Sequence, residues 1–148
     1  PVIGYIIGNG LSGKFSTALG IDKMVLMGAI VTTFGMALCV IFFLFTNPIP
    51  FSFFSCVCLM GLGNGMVLPN SNAGMMSVRP HLAGSASGIG GTINTGGGAI
   101  IATGTAALLT PGTGAMPLIL IMLASSIMSI ITIGYVFKRT LDLEESNS

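Results

Sequence analysis

Residues 24–78 contain no Asp, Glu, Lys, Arg or His, and residues 82–137 contain none either. No water-facing fold is built from stretches like these. A soluble domain carries about 25% charged residues because its surface must be hydrated, whereas this chain carries 6%, with 52% hydrophobic. The bilayer is therefore the expected solvent. Only helices and closed barrels satisfy every backbone hydrogen bond in lipid, and the apolar runs here have helical rather than strand length. The expected fold is all-α integral membrane. Five basic residues and a net charge of +1 cannot form a phosphate-binding stripe, which excludes nucleic acid as a partner. The chain starts at Pro1 inside an apolar run, with no Met and no secretory signal. This leads us to expect a piece of a longer protein.

Apolar runs of about 20 residues divide the chain into one partial and four full spans, at about 1–11, 24–45, 51–69, 83–109 and 117–137. The second would cover about 33 Å at the helical rise. Together residues 1–137 form the expected transmembrane bundle, and 138–148 a flexible tail. The connectors "TNPIP" at 46–50 and "TPGTGAMP" at 110–117 have turn chemistry. Charge sorts with this segmentation. Lys14 and Lys23 fall between the first two spans, Arg79 between the third and fourth, and Lys138 and Arg139 after the fifth. With each segment crossing once, all five basic residues lie on one side. Chance would produce that roughly one time in sixteen, and the positive-inside rule makes that side cytoplasmic, with the C-terminal tail.

Glycine is abundant inside the spans. Small-xxx-small pairs at Gly4/Gly8, Gly61/Gly65 and Gly84/Gly88 are the expected helix-packing sites, where two backbones approach closely. The span at 83–109 is extreme, and reads either as tight static packing or as a helix that flexes within a moving bundle. At membrane depth there is no ionisable side chain, which argues against a proton or ion pathway lying wholly within this chain. The polar groups at depth are Thr32 and Thr33, Asn64, Asn94 and Thr95. Helix-to-helix hydrogen bonding is the ordinary use of such groups. Asn64, Asn94 and Thr95 are the candidates for a substrate cavity, Asn94 first among them because it sits near the midplane where transporters bind substrate. Cys39, Cys56 and Cys58 lie in apolar runs without metal or redox spacing and read as inert buried thiols. His81 lacks ligand neighbours, and Ser85 and Ser87 form no nucleophile elbow. No catalytic residue, metal site or cofactor is expected. The stretch "GLSGKFSTALGIDK" at 10–23 reads as a tight turn between antiparallel helices, with Asp22 available to cap the second. In "PNSNAGMMSVRPHLAGSASG" at 69–88, Pro69 reads as a helix end and Pro80 as the approach to the next.

These residues also carry a family resemblance. "GNGLSGKFSTALGIDK" resembles the cytoplasmic loop between helices eight and nine of the major facilitator superfamily, a reduced copy of its Gly-x-x-x-Asp-Arg/Lys signature. Pro69, and then the run from Pro80 and His81 to Ser87, resemble the helix ten to eleven region of the Bcr/CflA-type drug-resistance transporters. The resemblance spans nearly the whole chain and is most specific over 61–98. It implies the C-terminal part of a twelve-helix fold, from the end of helix eight through helix twelve, in a bacterial inner membrane. It further implies a drug:proton antiporter that exports small amphipathic compounds by alternating access, with protons as coupling ion. Its partners would be the lipid bilayer, the N-terminal half of the same protein and a small-molecule substrate. Lys14, Asp22, Lys23 and Arg79 would be the cytoplasmic loop or gate residues. Spans three and four would line the cavity, and spans two and five would face lipid. An importer of a sugar, organic acid or other metabolite is the alternative on the same fold. A structural membrane subunit or a membrane enzyme is a third, and the latter would need a nucleophile or metal cluster at depth that the sequence lacks.

Overall fold

The computed structural model of the chain describes residues 2–45, 50–78, 80–109 and 116–146, and the side chains among them except at 50–53 and 141–146. The fold is all-helical: α1 (Val2–Leu19), α2 (Ile21–Phe45), α3 (Pro50–Val78), α4 (Ala83–Leu108) and α5 (Met116–Ser146), with a 3₁₀ turn at Pro80–Leu82 ahead of α4. Among the described residues two helices are long and apolar enough to cross a membrane. They are α2, with a mean hydropathy of 2.4, and the Met116–Thr140 part of α5, with 2.3. The expectation of one partial and four full spans is narrowed accordingly. Glycine, serine, threonine and asparagine dilute the apolar character of α1, α3 and α4.

The centre of the fold is α3, with α1 and α2 packed on it and α5 packed on α2. Glycine sets both spacings on α3. A Cβ placed on Gly8 would stand 3.0 Å from the Gly65 Cα and still closer to the Leu62 carbonyl oxygen; one on Gly4 would fall on the Cys58 carbonyl. Toward α2, a Cβ on Gly28 would stand 2.8 Å from the Gly63 carbonyl oxygen, and one on Gly35 2.9 Å from the Leu59 Cβ. Backbones this close gain dispersion contacts along the whole crossing, as at small-xxx-small interfaces. Farther along, Met36 and Cys39 of α2, Cys56 of α3 and Ile119 of α5 form a buried apolar cluster. Its two cysteines are free thiols.

Three local expectations are revised. The turn at 10–23 shrinks to one residue. Gly20, at φ +86°, closes α1 by donating its N–H to the Ser16 carbonyl (3.0 Å). It then receives the Met24 N–H (3.3 Å), so Gly20 and not Asp22 occupies the cap of α2. Only glycine takes that left-handed conformation without strain. Asp22 lies in the first turn of α2, where its charge suits the helix dipole. Pro69 does not end its helix, since α3 runs through it to Val78. A proline ring inside a helix collides with the carbonyl four residues back and leaves it unbonded. That residue is Gly65, which has no side chain to add to the crowding. The tail continues α5 as helix as far as Ser146.

The packing-glycine expectation divides. Gly4, Gly8 and Gly65 meet neighbouring backbone, and Gly61 is buried, but a Cβ on Gly84 or Gly88 would meet nothing within 4 Å. Gly8→Ala should therefore lower stability by about 1–3 kcal/mol through overpacking. Gly84→Ala and Gly88→Ala should be neutral or raise it by up to about 1 kcal/mol through helix propensity. Thermal unfolding in detergent micelles, followed by circular dichroism, checks this. Equal losses at Gly8 and Gly84 would contradict the assignment.

Candidate functional site

Between α2, α3, α4 and α5 lies a cavity of about 540 Å³, within the usual range for small-molecule pockets. Each helix supplies small or flexible apolar side chains and at least one neutral polar group. Thr32 comes from α2, Asn64 from α3, Thr105 from α4, and Ser125, Ser126 and Ser129 from α5. Among the described residues no acidic or basic side chain lines it. Thr105 and Ser126 are buried polar residues, 5% and 6% exposed. They are tolerated there because each hydroxyl is bonded to a carbonyl of its own helix, Ile101 at 2.7 Å and Leu123 at 2.8 Å. Thr32 bonds in the same way to Gly28 at 3.0 Å, and Ser125 to Ile121 at 2.9 Å. Thr33 bonds to Ala29 at 2.9 Å but lies outside the lining.

The cavity takes one of the three expected substrate residues. Asn64 is in its wall; Asn94 and Thr95 are exposed on α4 and are not. Asn94 lies one turn beyond Gly90, where α4 meets the Met75 side chain, and the α4 residues of the cavity begin only at Gly98. The midpoint of a span and the midpoint of a cavity need not coincide. Helices α2 and α5, expected to be peripheral, both form cavity walls, because the glycine contacts draw α2 onto α3 and the apolar cluster holds α5 against α2.

A second crevice, of about 1,040 Å³, opens near the Gly20 turn between the C-terminal parts of α3 and α5. Asp22 and Lys23, two of the expected gate residues, line it with Asn70, Ser71, Ser77 and Thr140. Lys14 is exposed on α1, with its ammonium 5.7 Å from the Phe15 ring centroid. Arg79 lies outside the described residues. Of the expected gate residues that are described, Asp22 and Lys23 share this crevice and Lys14 does not line it.

At the edge of this crevice is a polar contact that sequence reading missed. Asn70 is 3% exposed and Ser12 4%, and the Asn70 amide donates to the Ser12 hydroxyl and to the Met66 carbonyl, each at 2.7 Å. This bond ties α1 to α3 one helical turn beyond the Gly8–Gly65 contact. Reading Pro69 as a helix end assigns Asn70 to a loop and hides it. The available signal was the eight uncharged, proline-free residues 71–78, which extend the helix.

No protein-family model, curated protein or solved structure matches this chain.

A double-mutant cycle with Ser12→Ala and Asn70→Ala tests the buried link. The coupling energy should be about 0.5–1.5 kcal/mol, the range for hydrogen bonds between packed helices. Asn70→Ala alone should cost more than Ser12→Ala, because it also removes the bond to Met66. Strict additivity in unfolding measurements would show that the two side chains do not interact.

Proposed function

We propose that this chain is the C-terminal part of a secondary transporter of the major facilitator type, exporting small amphipathic compounds across a bacterial inner membrane by proton-coupled alternating access. The observation that carries this reading is the neutral polar cavity between four helices of a chain whose residues 24–78 and 82–137 hold no Asp, Glu, Lys, Arg or His. A ligand site walled by several helices, wet enough to hold hydroxyls and dry enough to exclude charge, is the kind that transporters build near the bilayer midplane. The sorting of basic residues supports a cytoplasmic C-terminus, and the motif resemblance over 10–23 and 61–98 supports the family. Two further features fit. Most of α4 is exposed, with Ile89, Ile93 and Ile100 uncovered, as suits a helix that lies against another half of the same protein. The crevice bearing Asp22 and Lys23 occupies the end where a cytoplasmic gate would close. Proton coupling would depend on groups outside this cavity, because its described wall contains nothing that titrates near neutral pH.

Efflux of N-phenyl-1-naphthylamine, an uncharged fluorescent amphiphile, from cells expressing the protein tests the proposal. Expression should speed efflux, a protonophore should abolish the gain, and Asn64→Ala should slow it roughly three- to tenfold, as for one lost hydrogen bond. Asn94→Ala should have a smaller effect. Efflux indifferent to expression, protonophore and Asn64 alike would sink the export reading, and protonophore-sensitive accumulation would point to import.

A further inference from the structure

Four of the five hydroxyls on the cavity wall donate their protons to their own helices. Thr32 donates to the Gly28 carbonyl at 3.0 Å, Thr105 to Ile101 at 2.7 Å, Ser125 to Ile121 at 2.9 Å and Ser126 to Leu123 at 2.8 Å. Such back-bonding is usual for Ser and Thr within helices. What is particular here is that four of these groups, from three helices, face one cavity. With its proton engaged, each hydroxyl has only lone pairs left to offer a ligand. Among the described lining residues the Asn64 amide and the Ser129 hydroxyl are the remaining polar side chains, and there is no Lys, Arg, His, Asp or Glu.

Building on the cavity reading above, we infer that this site selects uncharged ligands bearing N–H or O–H donors. A carboxylate or phosphate would lose its hydration and face oxygen lone pairs with no cation to balance it. An ammonium would find acceptors but no counter-charge, and an unpaired charge against a largely apolar wall is costly. A ligand with no polar hydrogen enters without that cost but leaves the acceptors unused. An alcohol, phenol, amide or secondary arylamine matches both the neutral wall and the surplus of acceptors. The volume of about 540 Å³ suits a ligand of one or two rings rather than a lipid.

The test is equilibrium dialysis of the chain in lipid nanodiscs against empty nanodiscs, with three probes of one shape: biphenyl-4-ol, 4-methoxybiphenyl and biphenyl-4-carboxylate. The phenol should bind roughly three- to tenfold tighter than its methyl ether, and the carboxylate should show no saturable binding. Thr105→Val with Ser126→Ala, two changes that keep the helices intact, should bring the phenol down to the level of the ether. Ala102→Phe, which fills the cavity from α4, should abolish saturable binding of both. If ether and phenol bind equally and Ala102→Phe removes both, the donor preference is overturned and the cavity reading stands. Saturable carboxylate binding removed by Ala102→Phe has the same meaning. If no probe binds saturably, the cavity reading fails and the inference with it.

Discussion

The fold depends on how closely α3 approaches the helices on its two sides. Gly8 against Gly65 and Gly28 against Gly63 leave no room for a Cβ between backbones. In a bilayer no hydrophobic force drives helices together, because lipid chains are as apolar as leucine; close packing and polar contacts must do it. The glycine crossings supply the packing and the Asn70–Ser12 bond the polar contact. Everything else is placed by reference to α3. The Gly20 turn can be one residue long because α1 and α2 are already neighbours on α3, and α5 joins through the apolar cluster around Met36 and Ile119.

The same arrangement separates two kinds of environment. Near the Gly20 turn, Asp22 and Lys23 share a large open crevice with hydroxyl and amide groups. Farther along, the described residues lining the cavity among α2, α3, α4 and α5 are all neutral, and four of its hydroxyls satisfy themselves on their own helices. That self-satisfaction lets polar residues sit inside apolar helices without a partner helix. It also leaves those four hydroxyls with only lone pairs toward the cavity, beside the Asn64 amide and the Ser129 hydroxyl.

Some of this was legible in the sequence. The all-helical fold follows from long uncharged runs, and Gly4, Gly8 and Gly65 follow from their spacing. Spacing alone could not separate these from Gly84 and Gly88, which have the same pattern and no neighbour. Whether a glycine is packed depends on where a second helix lies. Asn64 and Asn94 pose the same problem. Both are amides within apolar helices, yet only Asn64 faces the cavity, because α4 reaches the wall from Gly98 onward. Pro69 misled for a different reason. Proline usually ends or kinks a helix through its clash with the carbonyl four residues back, and a glycine at that position eases the crowding. Reading the helix as ended there moved Asn70 into a loop and concealed the contact that ties α1 to α3.

What the sequence determined by itself is the class of fold. Long apolar runs without charge favour burial away from water, and a backbone buried from water must bond to itself, which selects helices wherever the runs are long enough. What only the tertiary structure decided is which polar groups meet. A helix presents a side chain in every direction, and the relevant face is chosen by the neighbour that packs against it. Here glycine-to-glycine contacts on α3 make that choice, placing Thr32, Asn64, Thr105 and Ser126 around one cavity and leaving Asn94 outside it.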